Sequence, residues 1–551
     1  MGKAFVFQLV SYLLVAGAAT AAWRRLRPWT RALHRSAAFV GRRRFVAVAA
    51  VGATALSVAV ALTAVRQPRP VFHDEFSNLL AADTFAHGRL ANPPHPFWVH
   101  FESLHILQQP TYASKYPPAQ GAMLALGQAI FGKPIVGVWI STALTAVAVC
   151  WMLQGWTSGR WAFVGGMLTA LHPVVQANWG QSFWGGAVSV IGAALVLGGY
   201  ARLRRRPRAR DAALMALGAV VLANHRPYEG LLVCAPVAIA TIVWLCGKQR
   251  PHWRTAALRV VAPAACVLGA GGAWMTYYNY QVTGKPLLAP YVLHEKTYTV
   301  MPFFLWQSPR PTPVYRHIPQ ADYHTRFELG FYTAQQTFRG WAAAKSANLI
   351  RFLWFLVTPP LVLAAAAFPL AARQGRYRLV ALTVVVCLLG HACIAWYLPH
   401  YSAPCLPFVL LAAVRGLQWI STRKWFGTGS GLAATWAILG CYLVASGIAA
   451  TAVMRTPRPV WAQQRDQAIR FLESRPGKHL VFVRYEPVRD PNSEWVYNAA
   501  DIDAARIVWA HEMSPGENRQ LQEYFRQHSV WLIEADAQRP RLRKVANSRG
   551  N

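Results

Sequence analysis

Twelve runs of apolar residues constrain this chain more than any other feature. They lie at 4–22, 45–65, 134–153, 161–177, 185–200, 212–224, 229–246, 257–276, 347–371, 378–396, 402–420 and 430–453. A helix that crosses a bilayer needs about 20 apolar residues, and it keeps its backbone hydrogen bonds internal. Runs 212–224 and 402–420 read as broken or tilted spans. The stretch Ala119 to Phe131 follows a Pro-Pro pair, is shorter, and reads as an interfacial helix. Charge excludes a soluble fold: 14% of the 551 residues are charged, against about 25% in an ordinary soluble domain. The expected fold is mainly α, a polytopic membrane protein.

The basic residues follow the runs. There are 56 Lys and Arg against 21 Asp and Glu. Arg24, Arg25, Arg27, Arg31, Arg35, Arg42, Arg43 and Arg44 crowd the link 23–44, and Arg202, Arg204, Arg205, Arg206, Arg208 and Arg210 the link 201–211. Lys248, Arg250 and Arg254, then Arg373, Arg376 and Arg378, then Arg415, Arg423 and Lys424 fill three more. The runs place all five links on one side, which the positive-inside rule makes cytoplasmic. Anionic membrane lipids balance this charge, so nucleic acid is not needed as a partner. The implied location is a membrane, crossed many times, with the basic links on its cytoplasmic side. Run 4–22 reads as a retained helix, because the Arg cluster that follows it would translocate poorly as the start of a mature chain.

Three domains are expected: 1–44, an N-terminal helix with a basic link; 45–454, the spanning domain, with outer loops 66–118 and 277–346; and 455–551, a small α/β domain outside the membrane. The last holds 12 of the 21 acids. Its runs His479 to Arg484, Ala505 to Ala510 and Val530 to Glu534 predict strands, and 461–474 and 516–527 predict amphipathic helices. The eight cysteines lie in or beside apolar runs, form no CxxC pair, and read as small packing residues.

Residues 1–454 contain nine acids: Asp74, Glu75, Asp83, Glu102, Asp211, Glu229, Glu295, Asp322 and Glu328. All but Asp211 fall on the outer side. The first outer loop opens on His73-Asp74-Glu75 and runs to Lys115-Tyr116-Pro117-Pro118. One reading of the pair is a helix start, with Asp74 as N-cap. The other is a general base with a supporting carboxylate.

Span end, acidic pair, polar loop, Tyr-Pro-Pro, short apolar helix, next span: this order resembles the GT-C superfamily of integral-membrane glycosyltransferases. It is nearest in style to the bacterial protein O-mannosyltransferase and lipid A aminoarabinose transferase group. The resemblance covers about residues 45–420 and rests on Asp74, Glu75, Tyr116, Pro117 and Pro118. It implies about 11–13 spans of bilayer length, a polyprenyl-phosphate sugar donor, Asp74 as catalytic base and Glu75 as its support. The acceptor, whether lipid, glycan or protein, stays open.

Transfer to a hydroxyl needs a base, cations for the departing phosphate, and groups that hold sugar and acceptor. Lys115, His225 and Arg226 are the expected phosphate ligands; Arg226 also reads as an interfacial anchor paired with Glu229. Tyr116, His172, Asn178, Gln181, Tyr228, Glu229, His400 and Tyr401 are the expected sugar or acceptor contacts, since aromatic faces stack on sugars and amides bond hydroxyls. An aromatic belt would use many of the same residue types. His73, Asp74, Glu75 and His95 carry the donor types for a divalent metal, but no HExxH-like spacing decides it. A transporter or flippase of lipid-linked sugars is the alternative. It would place its ionisable groups at the membrane midplane, often in repeated halves.

Overall fold

The structure, a computed structural model, describes residues 10–14, 17, 23–372, 375–425, 429–486 and 490–545. It is mainly helical, with a small sheet near the C-terminus. Among the described residues seven helices are long and apolar enough to cross a membrane: Arg44–Val65, Pro134–Trp156, Pro227–Cys246, Trp253–Thr283, Gly375–Cys393, Pro399–Ser421 and Ser430–Arg455. An eighth span is made by Phe338–Val357 and Pro359–Ala366 if that pair, bent by 96°, is counted as one. Pro359 and Pro360 cannot continue the incoming hydrogen-bond ladder, and Thr358 between the halves has φ +63°.

The runs expected at 161–177, 185–200 and 212–224 form helices Gly159–Ala170, Ala187–Leu203 and Ala209–Ala223, each below full crossing length. Run 4–22 lies largely outside the described residues. All eight cysteines are free.

The chain divides into two compact units. The first, Met1–Pro68 with Val138–Ala273 and Ala342–Arg455, is helical. Its core is a cluster of buried aliphatic and aromatic side chains around Trp156, Trp179, Phe408 and Tyr442. Between apolar helices in lipid there is little hydrophobic drive, so close packing must hold them. Gly416 supplies it: a Cβ there would lie 1.7 Å from the carbonyl oxygen of Ala364.

The second unit joins Arg69–Gly137, Trp274–Trp341 and Thr456–Asn551. Its strands are β1 (Ile106–Leu107), β2 (Ala113–Ser114), β3 (Lys478–Arg484), β4 (Ile507–His511), β5 (His528–Glu534) and β6 (Arg543–Lys544). β1 and β2 pair antiparallel; the larger sheet runs β4-β3-β5-β6, with β3 parallel to β4 and β5, and β5 antiparallel to β6. β3 is buried over Leu480, Val481, Phe482 and Val483 without alternation. That is the pattern of a central parallel strand covered on both faces.

The tail segment does not have a core to itself. Phe76, Leu80, Phe101, Ile106 and Tyr112 of the first loop share one hydrophobic cluster with Leu480, Trp495, Trp509 and Ile533. The Phe76 and Tyr497 rings stack at 4.0 Å. The sequence separation of these partners hid the shared core.

Candidate active site

Helix His73–Ala86 carries the acidic pair in its first turn, and its two carboxylates do different work. Glu75 is buried. Its Oε2 accepts from the backbone N–H of Val71 at 2.8 Å and of Phe72 at 3.1 Å. It satisfies donors that a helix start otherwise leaves orphaned. The expected N-cap role of Asp74 is thus corrected: Phe72 holds the cap position and Glu75 supplies the capping oxygen. Glu75 supports Asp74 by fixing the turn that presents it.

Asp74 is partly open, with 27% of its side chain exposed. Its Oδ1 accepts from the Tyr116 hydroxyl. Oδ2 has no hydrogen-bond partner among the described residues.

Tyr116 is held by a defined chain. Because its hydroxyl donates to Asp74, the His105 Nδ1 contact at 3.0 Å is a donation from the ring to the Tyr116 oxygen. His105 Nε2 then accepts from the Tyr323 hydroxyl at 3.3 Å. This order requires a neutral imidazole protonated at Nδ1. Burial, aided by the Lys115 ammonium, pushes His105 well below the usual histidine range, which keeps it neutral.

His105 also has φ +65°. A non-glycine residue there is strained by about 1–3 kcal/mol and persists only where its surroundings hold it. Ser77 Oγ and the Lys115 backbone N–H both donate to the His105 carbonyl, at 2.7 and 3.2 Å. Ser114 Oγ bonds Ser77 Oγ at 2.7 Å and accepts from Tyr116 N at 3.1 Å. The β1-β2 pair thereby ties His105 and Tyr116 to the Asp74 helix.

Lys115 is buried beside this chain. Its Nζ lies 3.8 Å from Glu295 Oε1 and over the rings of Tyr291 and Tyr116 at 5.2 and 5.6 Å. The ammonium makes no hydrogen bond among the described residues. Glu295 also pairs with Arg310 at 3.3 Å. Burial raises the Glu295 carboxyl, and Lys115 and Arg310 oppose that rise.

Next to Lys115, His324 Nδ1 bonds Glu328 at 2.6 Å. His324 Nε2 and His294 Nδ1 are buried without partners. Glu102 accepts from Tyr298 at 3.0 Å, lies 3.4 Å from Arg316, and is raised by burial. His105, His294, Tyr298, Arg310, Tyr323, His324 and Glu328 were missed as site residues from the sequence. The available signal was the density of His, Tyr and acids over 294–328.

The four residues that carry metal-donor types engage other partners. His73 uses both ring nitrogens, Nδ1 with Tyr497 at 2.7 Å and Nε2 with the Pro491 carbonyl at 3.0 Å. Glu75 caps its helix. His95 bonds Asp503 at 3.2 Å and packs against Phe101, Tyr524 and Phe525. Among the described residues, no group of three or more His, Cys, Asp or Glu is arranged to hold a metal ion.

In the helical unit, the expected contacts divide. His225, Arg226, Tyr228, Glu229, His400 and Tyr401 lie about the turn Asn224–Glu229 and the 3-10 turn Pro399–Cys405. The Arg226 guanidinium lies 4.7 Å over the Tyr401 ring, and its Nε is buried without a partner, as is His225 Nδ1. His400 stacks on Trp184 at 4.8 Å. Tyr228 donates to the Gly390 carbonyl at 2.8 Å.

His172, by contrast, is spent on backbone: Nε2 bonds the Leu356 carbonyl and Nδ1 accepts from Val174 N, both at 3.2 Å. Gln181 bonds Thr63 and Gly180. The Asn178 side-chain oxygen is buried without a partner. In this structure His172 bonds only backbone groups, and Gln181 Nε2 bonds Thr63 and Gly180.

The chain is similar to ArnT from Cupriavidus metallidurans bound to undecaprenyl phosphate: TM-score 0.52, 12% identity, covering 88% of this chain and 92% of that one. ArnT in the apo state gives TM-score 0.51 at the same identity and coverage. An Archaeoglobus fulgidus oligosaccharyltransferase in the apo form gives TM-score 0.49 and 10% identity, covering 88% of this chain and 69% of that one. No family model matches the sequence, and no curated protein matches it. The chain is a multi-pass membrane protein with the GT-C fold. ArnT shares that architecture across nearly its whole length.

Proposed function

We propose that the protein is a membrane glycosyltransferase that moves a sugar from a polyprenyl-phosphate donor to an acceptor hydroxyl on the extracytoplasmic face. The observation that carries this reading is Asp74, with one oxygen held by Tyr116 and the other unengaged. The acceptor oxygen attacks the anomeric carbon, the bond from that carbon to the phosphate oxygen breaks, and Asp74 takes the acceptor proton. Polyprenyl phosphate departs with the bonding electrons. Lys115, a buried ammonium with no hydrogen bond of its own, stabilises that phosphate. The likeness to ArnT bound to undecaprenyl phosphate supports the donor class. His225 and Arg226, in the helical unit, are assigned to an anionic group of the donor.

Asp74→Asn is expected to abolish sugar transfer, with a loss of at least about 10²–10⁴-fold, the usual contribution of a general base. Circular dichroism and melting should stay unchanged. Wild-type transfer by purified Asp74→Asn would overturn the mechanism. Transport of an intact lipid-linked sugar across vesicles without transfer would favour the flippase reading. Arg226→Ala should raise KM for the donor more than for the acceptor; equal increases would leave Arg226 a structural residue.

A further inference from the structure

A second cleft lies within the helical unit, away from every residue assigned above. The basic helix Trp23–Arg42 meets helix Gly159–Ala170 at two glycines. A Cβ on Gly41 would lie 2.5 Å from the Gly159 carbonyl, so only a glycine lets the backbones approach this closely. Beside the crossing, Leu33, His34, Arg160, Trp161, Trp436 and Leu439 help line a cleft that is open on one side.

The polar groups of this cleft are one-sided. Trp161 is 4% exposed, and its Nε1 is buried with no acceptor among the described residues; Trp436 Nε1 likewise has none among them. The Arg160 guanidinium lies 5.5 Å from the Trp161 ring centroid and makes no hydrogen bond or ion pair among the described residues. His34 makes none either. Thr435 has already spent its hydroxyl on the Gly431 carbonyl at 2.9 Å. No carboxylate lines the cleft, and the whole helical unit has only two, Asp211 and Glu229. Each buried donor left without an acceptor costs about 1–3 kcal/mol. Several donors gathered in one cleft call for a ligand rich in acceptor oxygens.

The walls decide which ligand. Leu33, Val164 and Leu439 are apolar, and Trp29 and Phe39 on the same basic helix are 71% and 58% exposed. An Arg-rich helix with exposed aromatics lies in a membrane interface, where anionic headgroups meet it. A free inorganic anion would leave the apolar walls uncovered.

We propose that this cleft binds an anionic phospholipid, its phosphate oxygens accepting from Arg160, Trp161 and Trp436 and its acyl chain lying on Leu33 and Leu439. The ligand would bridge the basic helix to helix Gly159–Ala170 and to the span Ser430–Arg455.

The test uses the full chain, purified and delipidated, with native mass spectrometry to count bound lipid and thermal melting as a second readout. Phosphatidylglycerol, phosphatidylcholine and inorganic phosphate are the probes. Phosphatidylglycerol should be retained and should raise Tm; phosphatidylcholine should bind about 10-fold more weakly, and phosphate alone should not shift Tm. Arg160→Gln should weaken phosphatidylglycerol by about 10-fold, and Trp436→Phe, which keeps an aromatic ring but removes the donor, by several-fold. Equal binding of both lipids would reduce the cleft to an apolar groove. A Tm rise with phosphate alone equal to that with lipid would make it a free-anion site. Unchanged lipid binding in Trp436→Phe would overturn the donor assignment, even if Arg160→Gln failed to fold.

Discussion

Tyr116 shows how one hydroxyl sets the site. By donating to one oxygen of Asp74 it orients the carboxylate, and in the proposed mechanism the other oxygen meets the substrate. Tyr116→Phe should therefore lower kcat/KM by about 10-fold, the equivalent of one net hydrogen bond, with KM little changed. His105 sits behind it, held neutral by burial and by Lys115. Its folded-state pKa is depressed, so the ring that donates to Tyr116 does not gain a proton as pH falls through the ordinary value of 6.5. Activity should persist through that pH and decline only below it. An inflection of kcat/KM at 6.5 that vanishes in His105→Gln would contradict this assignment. Asp74 was legible in the sequence because acids are so scarce in the membrane half. His105 and Tyr323 were not, because nothing in the residues themselves says that loops 218 positions apart meet at 3.3 Å.

The helix His73–Ala86 is the element that delivers Asp74, and it is fixed at both its start and its flank. Glu75 captures two backbone donors at the start, and Tyr497 packs on the flank, bonding His73 and stacking on Phe76. Glu75→Ala should cost about 1–2 kcal/mol, the scale of a lost cap, and lower Tm and kcat together. Glu75→Gln should recover part of both, since its amide oxygen still accepts. Loss of kcat with unchanged Tm in Glu75→Ala would instead make Glu75 a direct participant in the chemistry. The adjacent acids and the choice of Asp74 as base could be reached from the sequence, but not the capping bonds that Glu75 makes. Burial and hydrogen-bond direction separate a capping carboxylate from a reactive one.

Across the whole molecule, 23 basic residues of the Arg-rich links stand against a single acid in those links, Asp211. That asymmetry predicts sidedness. In intact cells, a single cysteine placed at Arg206 in a cysteine-free variant should resist a membrane-impermeant thiol reagent. One placed at Asn498 should react. Labelling of both from outside would overturn the proposed orientation. The sequence by itself determined that the chain is a helical membrane protein, because apolar runs of bilayer length leave the backbone few other ways to satisfy its hydrogen bonds. It also located the strands of the tail and singled out Asp74. Only the tertiary structure decided that the first loop, the 274–341 segment and the tail share one compact unit, and that Glu75 caps the helix on which Asp74 stands. These outcomes depend on contacts between residues hundreds of positions apart. Local propensity and hydropathy report on a residue and its near neighbours, and carry no record of such partners.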